Sequence, residues 1–180
     1  MEDNSKINPY KDGIDHINIY SRGKTEVGRQ LSNFAHTPFT HKRYGHFHSV
    51  EGLWYYLITG GQHEVLRDLY GFKAKKIGRE LINQDEWNLV DTENPDFKED
   101  IREGIRQKLR EDKKLLKMLC KTEGKPLKHY YVYESKKKFD ENGLPEYTIR
   151  NAGHSWVIEE IERIRQISLD FIKNKNMNIR

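Results

Sequence analysis

The 180-residue chain carries 32 Lys or Arg against 28 Asp or Glu, a formal charge of +4, and a third of its residues are charged. This length predicts one domain with its own core, and 7 Phe, 3 Trp and 10 Tyr exclude a disordered polyampholyte. The lone Cys120 excludes an internal disulfide and a four-cysteine zinc site, and no apolar run approaches the roughly 18 residues that a membrane span needs.

In chain order, residues 1–13 are polar, end in Asp12-Gly13 and read as a flexible lead-in. The opening Met1-Glu2-Asp3-Asn4-Ser5 has no apolar signal core, so a cytoplasmic protein is expected. Ile17-Asn18-Ile19-Tyr20 alternates and is β-branched, which predicts a short strand. Residues 21–48 hold Gly23, Gly28, Pro38 and Gly45 and read as loops and short strands. A helix is expected from the N-cap Ser49, running without a breaker from Val50 to Thr59 until Gly60-Gly61, with Leu53, Tyr56 and Leu57 on one face. Two further helices are expected at 63–69, ended by Gly71, and at 72–81. The longest helix is predicted over 95–121. Asn94 caps it, Pro95 takes its first position, and Ile101, Ile105, Leu109, Leu116 and Leu119 recur at helical spacing. Cys120 shares the Leu116/Leu119 face and reads as a small core residue. After Gly124 and Pro126, Leu127 to Tyr133 reads as a strand. Lys136 to Pro145 reads as a charged turn with Asn142-Gly143 at its tip, and Tyr147 to Ile149 as extended. A last helix at 155–172, capped by Ser155, would turn Ile158, Ile161, Ile164 and Ile167 inward, and the polar tail 173–180 would fray. The fold class that follows is mainly α (α+β), a single domain over 14–172 of helices with a few short strands.

The chain has no Gly-rich phosphate loop and no nucleophile elbow. Four histidines crowd one stretch, His36, His41, His46 and His48. His46 and His48 would share one strand face, but no carboxylate of suitable spacing lies between them, so no metal and no cofactor is expected. The basic cluster Lys113 to Lys138 reads as a solvated face or as a surface for a polyanion.

Three segments carry more information. The first is Leu31-Ser32-Asn33-Phe34, then Pro38-Phe39, then Gly45-His46-Phe47-His48-Ser49-Val50-Glu51, leading into Trp54, Tyr55 and Tyr56. The second is Ala74-Lys75-Lys76-Ile77-Gly78-Arg79, and the third is Leu119-Cys120-Lys121-Thr122. In this order, over roughly residues 17–172, the chain resembles the NADAR (YbiA-like) superfamily. The resemblance implies a YbiA-like single domain and an N-glycosidase. Members of that family are associated with hydrolysis of phosphorylated ribosylamine intermediates of riboflavin biosynthesis. Others remove ADP-ribose from guanine in nucleic acid and so reverse a toxin's modification, in toxin–antitoxin and phage settings. Abundant Lys, Asn, Ile and Tyr fit the AT-rich genomes of many phages, which would place the protein in a host cytoplasm. The chain departs from the family pattern after the strand at 127–133. Asp140 is the nearest match to the family's Asp, no Trp-Gly pair follows it, and either Trp87 or Phe97 takes the place of the family's helix-start Trp.

The chemistry gives each candidate a role. A breaking ribose–nitrogen bond builds an oxocarbenium ion, which a fixed carboxylate stabilises. Glu51 is in the first turn after Ser49, where the helix dipole favours the ionised form, so it is expected to act as an anionic stabiliser or base; the alternative is a plain helix cap. Asn33 can hold ribose hydroxyls or a phosphate, or simply make a turn bond. Phe34, Trp54 and Tyr55 can stack on a base or pack the core. Arg22 and Lys24 can meet a diphosphate, and a neutral Lys24 could exchange into a ring-opened imine as a Schiff base. Asn151, Gly153 and His154 precede the last helix, whose N-terminus can receive a phosphate. His129 and Asp140 are candidate proton donors to the leaving base. Three functions follow as expectations: an ADP-ribosyl-guanine hydrolase acting on modified nucleic acid, a riboflavin-type glycosidase, or a non-catalytic module binding ADP-ribose, NAD or a toxin. No membrane partner is expected, and the oligomeric state is left open.

Overall fold

Four α-helices start by the same device, a side-chain oxygen offered to a backbone N–H of the first turn: Thr25 to Gly28, Ser49 to Gly52, Asn94 to Asp96 and Asp112 to Leu115. The computed structural model describes residues 7–84 and 89–177, with backbone alone at 176 and 177. It contains six α-helices over those residues: α1 Glu26–Leu31, α2 Val50–Ile58, α3 Gly71–Gln84, α4 Pro95–Glu111, α5 Lys113–Cys120 and α6 Ser155–Met177. The strands form three separate two-stranded ladders. β1 (Ile17–Asn18) runs parallel to β4 (Leu127–Lys128), β2 (Phe39–His41) antiparallel to β3 (Gly45–Phe47), and β5 (Tyr130–Phe139) antiparallel to β6 (Pro145–Asn151). The result is a single α+β domain.

α2 is the centre of the core. Every residue from Val50 to Ile58 is buried except Trp54, which is half-buried. Phe39, Phe47, Ile101 and Leu119 are fully enclosed around it. α4 crosses α2 at Gly104, where an added Cβ would lie 2.5 Å from Leu53 Cδ2. α3 crosses at Ala74 and Gly78, both buried, and a Cβ at Gly78 would lie 2.1 Å from Tyr55 Cγ. Small residues one turn apart thus let α3 lie directly on the Tyr55 ring. Asn18, buried on β1, donates its side-chain amide to Tyr130 O and accepts from Tyr130 N–H, which anchors the start of the long hairpin against the core.

Several expected elements differ. The strand at 17–20 pairs over Ile17–Asn18 alone, and α1 lies inside the stretch read as loops and short strands. Gly71, expected to end a helix, begins α3 with φ +59°, after a 3-10 turn at Glu64–Asp68. The helix expected over 95–121 breaks at Asp112, whose side chain leaves the α4 track to accept the Leu115 N–H and starts α5. The charged turn is shorter than expected because β5 continues through Lys136–Phe139. Asn142-Gly143 does sit at the hairpin tip, with Gly143 at φ +75°. α6 runs on through Met177, so residues 173–177 are helical, and it is the longest helix. Its Ile161 and Leu169 are buried, but Ile167 points out at 55% exposure because it lies off the face that those two residues share. Cys120 is half-buried. The described part of the lead-in is tied down: buried Asp12 accepts from the Asn18 and Lys24 N–H groups, and Tyr10 Oη donates to Pro145 O. Trp87 and the ends of the chain lie outside the described residues. Among those residues no helix is long and apolar enough to cross a membrane, and no group of three or more His, Cys, Asp or Glu is placed to hold a metal ion.

Candidate functional site

The first turn of α2 is fixed on three sides. Ser49 Oγ accepts the Gly52 N–H at 2.9 Å and donates to Leu69 O at 2.8 Å. The Glu51 N–H donates to Asn33 O at 2.9 Å. Gly52 has no room for a side chain, since a Cβ would lie 2.4 Å from Leu66 O. The Asn33 segment and the Glu51 turn are therefore one rigid unit, although 18 residues of chain separate them.

This unit forms one wall of a cavity of about 680 Å³, a volume in the range of small-molecule sites. Glu51 lines it, as do Arg22, Asn33 and Phe34 from the preceding loops and Trp54 and Tyr55 from α2. His154 also lines it. It has φ 54° and follows Gly153 at φ 74°, a left-handed corner that sets its ring 4.9 Å from Trp54. Trp54 is also packed edge-on against Phe97 and stacked with Trp156. Tyr55 is buried, so both aromatics serve core and cavity together. Phe72 (74% exposed) and Tyr133 (53% exposed) stand at the mouth.

α3 adds two cations that sequence reasoning missed. Ala74 and Gly78 bury one face of that helix, and Lys75 and Arg79, each one residue further on, turn toward the cavity as an i,i+4 pair. The signal was present in the Ala74–Arg79 segment, as two cations flanking two small residues at the same spacing. Tyr20, Ser32 and Tyr131 are among the other cavity residues not anticipated, and Tyr131 meets Tyr20 edge-on at 5.2 Å.

Electrostatics overturn one expectation. Glu51 was expected to be held ionised by the helix dipole, but burial to 8% exposure pushes its carboxyl up to about 7, against the opposing pull of Lys75 and Arg79. Desolvation of a charge outweighs a helix terminus here, because the first-turn N–H groups are already spent on Asn33 and Ser49. His129, a candidate proton donor, also lines the cavity, but burial and the neighbouring His154 lower it to about 4. It is a neutral imidazole at physiological pH and cannot serve there as an acid.

Three further candidates lie outside the cavity lining. The Lys24 ammonium donates to Tyr10 O at 3.2 Å and sits over the Tyr10 ring, so the Schiff-base role does not fit it. Asp140 accepts the Asn142 and Leu144 N–H groups and shapes the exposed hairpin tip. Asn151 accepts the Gly153 N–H and is a turn residue. A second cleft of about 360 Å³ between α4 and α6 is lined by charges that already neutralise one another, Arg106 with Glu99 and Glu160, and Arg163 with Glu160.

The cavity therefore brings together one buried carboxyl, three cations, amide and hydroxyl groups, and aromatic walls. Comparison of the chain with protein-family profiles, with curated proteins and with solved structures found no match.

Proposed function

We propose that the protein is an N-glycosidase that hydrolyses a ribose–base bond, with ADP-ribose on guanine in nucleic acid as its substrate. The observation that carries this reading is the pairing of a buried carboxyl with three cations in one aromatic-walled cavity. Arg22, Lys75 and Arg79 suit a diphosphate, and the rings of Phe34, Trp54 and Tyr55 suit a base. The choice of guanine in nucleic acid follows the resemblance of the Ser32-Asn33-Phe34 and Ser49-Val50-Glu51 segments to the NADAR superfamily.

In the proposed reaction the ionised Glu51 faces the anomeric carbon. The C–N bond breaks with its electron pair passing to the base, and positive charge gathers on the sugar, where the carboxylate stabilises it. A water oxygen bonds to the anomeric carbon as its proton passes to Glu51, and the departing base nitrogen takes a proton from solvent. A carboxyl that titrates near 7 is matched to accepting and releasing that proton at physiological pH. A riboflavin-type phosphoribosylamine carries a single phosphate, which three cations exceed; the cavity's charge favours the diphosphate.

The test is incubation with an oligonucleotide carrying ADP-ribosylated guanosine. Wild type is expected to release ADP-ribose and restore the guanine, and Glu51→Ala or Glu51→Gln to abolish release with an unchanged circular dichroism spectrum. Turnover of the phosphoribosylamine pyrimidine alone would select the riboflavin-type activity. Thermal stabilisation by ADP-ribose with no product from any substrate would select a binding module.

A further inference from the structure

Two aromatic rings stand at the mouth of the cavity, Phe72 on α3 and Tyr133 on β5, and each is more than half open to solvent. They belong to separate walls. α3 packs on α2, whereas β5 pairs with β6 in a hairpin of its own.

Each wall leads from the interior to its exposed ring. On α3, Phe72, Lys75 and Arg79 recur at i, i+3 and i+7, so they share one helical face, and all three line the cavity. On β5, Tyr131 and Tyr133 share one face of the strand, and both line the cavity. Tyr131 is half-buried against Tyr20, and Tyr133, about 7 Å further along, is exposed. Arg150 is the ladder partner of Tyr131 and stands on that same face, with its guanidinium 5.2 Å from the centre of the Tyr133 ring. Glu134, the acid next to Tyr133 in sequence, pairs with Tyr147 on the opposite face.

The chemistry of the rim narrows what it meets. Glu51 is the single acid in the cavity lining, against three cations. Lys73, Lys76 and Arg150, exposed near the two rings, have no acidic partner among the described residues. Open rings beside unpaired cations suit a single strand of nucleic acid, which offers base faces and phosphates together. In the reaction proposed above, the modified nucleotide must leave the base stack to enter the cavity. Each of its two neighbours along the strand then loses a stacking partner. The mouth offers one ring on each of two walls to replace them.

We propose that Phe72 and Tyr133 form a flanking-nucleotide subsite for single-stranded nucleic acid, each ring stacking on a base next to the modified nucleotide, with Lys73, Lys76 and Arg150 at the adjoining phosphates. This rests on the reading of the cavity as an ADP-ribosyl-guanine site. It assigns to the rim the part of the substrate that stays outside, the strand itself.

The experiment measures kcat/KM on two trideoxynucleotides with ADP-ribosylated guanosine at the centre, one flanked by thymidines and the other by abasic residues. Both carry the same phosphates, so the ratio of the two values reads base stacking alone. Wild type is expected to prefer the thymidine flanks by about 30-fold, from about 5-fold for each ring. Phe72→Ala and Tyr133→Ala should each lower that preference to about 6-fold, and the double variant should lose it. Tyr133→Phe keeps the ring and should keep the preference. A ring that is purely structural, or that holds ADP-ribose itself, would lower both values alike in its alanine variant and leave the ratio unchanged. That result in either variant overturns the subsite. So does a wild type that treats the two substrates equally, which leaves the glycosidase reading standing. If wild type cleaves neither, the glycosidase reading itself fails and the subsite falls with it.

Discussion

Replacing Glu51 with Gln should stabilise the protein while removing its activity, and by an amount set by pH. The carboxyl titrates at about 7 in the folded chain against an ordinary value of 4.5, a gap worth about 3 kcal/mol. The folded state holds the proton more tightly than the unfolded state. Below 4.5 both states are protonated, and Glu51 contributes its full share of stability. As pH rises from 4.5 the unfolded chain ionises first, and that share drains away until the folded carboxyl ionises near 7. Gln never ionises and bears no such loss. Its altered contacts with Lys75 and Arg79 add only an offset that does not vary with pH. Urea denaturation of both proteins at intervals from pH 4.5 to 8.5 reads the effect directly. The stability of Glu51→Gln relative to wild type should climb by about 3 kcal/mol between pH 4.5 and 7.5 and then level off. A difference that stays constant, or grows toward acid, would refute the claim that desolvation governs this carboxyl.

Other outcomes follow from the same geometry. Arg79→Ala should raise the KM for a diphosphate substrate by about 10-fold or more through loss of a charge-assisted contact, whereas Lys24→Ala and Asp140→Asn, outside the cavity, should stay within about 2-fold in steady-state assays. Borohydride trapping should yield no adduct that depends on Lys24. Gly78→Ala should cost about 2 kcal/mol or more in thermal denaturation, because the new methyl meets the Tyr55 ring and α3 must move off α2; an unchanged melting temperature would contradict that packing. His129 is held neutral, lowered to about 4, so its contribution is present above its ordinary 6.5 and lost as pH falls through 4. His129→Phe should accordingly unfold less readily in acid than wild type.

The parts of the fold legible in the sequence were those with a local physical cause. Ser49 and Asn94 accept backbone N–H groups where expected, and Gly60 and Gly61 end α2 with φ 66° and 77°. The break between α4 and α5 was hidden because the apolar spacing continues across Asp112, and only its side-chain bond to the Leu115 N–H shows the interruption. α1 was hidden by its length of six residues, too short for periodicity to register. Within the site, Arg22, Asn33, Phe34, Glu51, Trp54, Tyr55 and His154 were named from sequence and do line one cavity. Lys24, Asp140 and Asn151 do not, since proximity in sequence to a site residue says nothing about side-chain direction. The charge state of Glu51 was beyond sequence reading altogether. It depends on how completely Asn33, Tyr55 and their neighbours exclude water, which is a property of tertiary packing.

The central claim is that a buried carboxyl in this cavity breaks a ribose–base bond, and the most direct test is the pH dependence of single-turnover ADP-ribose release from a modified guanosine oligonucleotide. Wild type should release it at a rate that rises with an inflection near pH 7, and Glu51→Gln should release none at any pH. Release by Glu51→Gln at the wild-type rate, or a wild-type profile that stays flat across that range, would contradict the account.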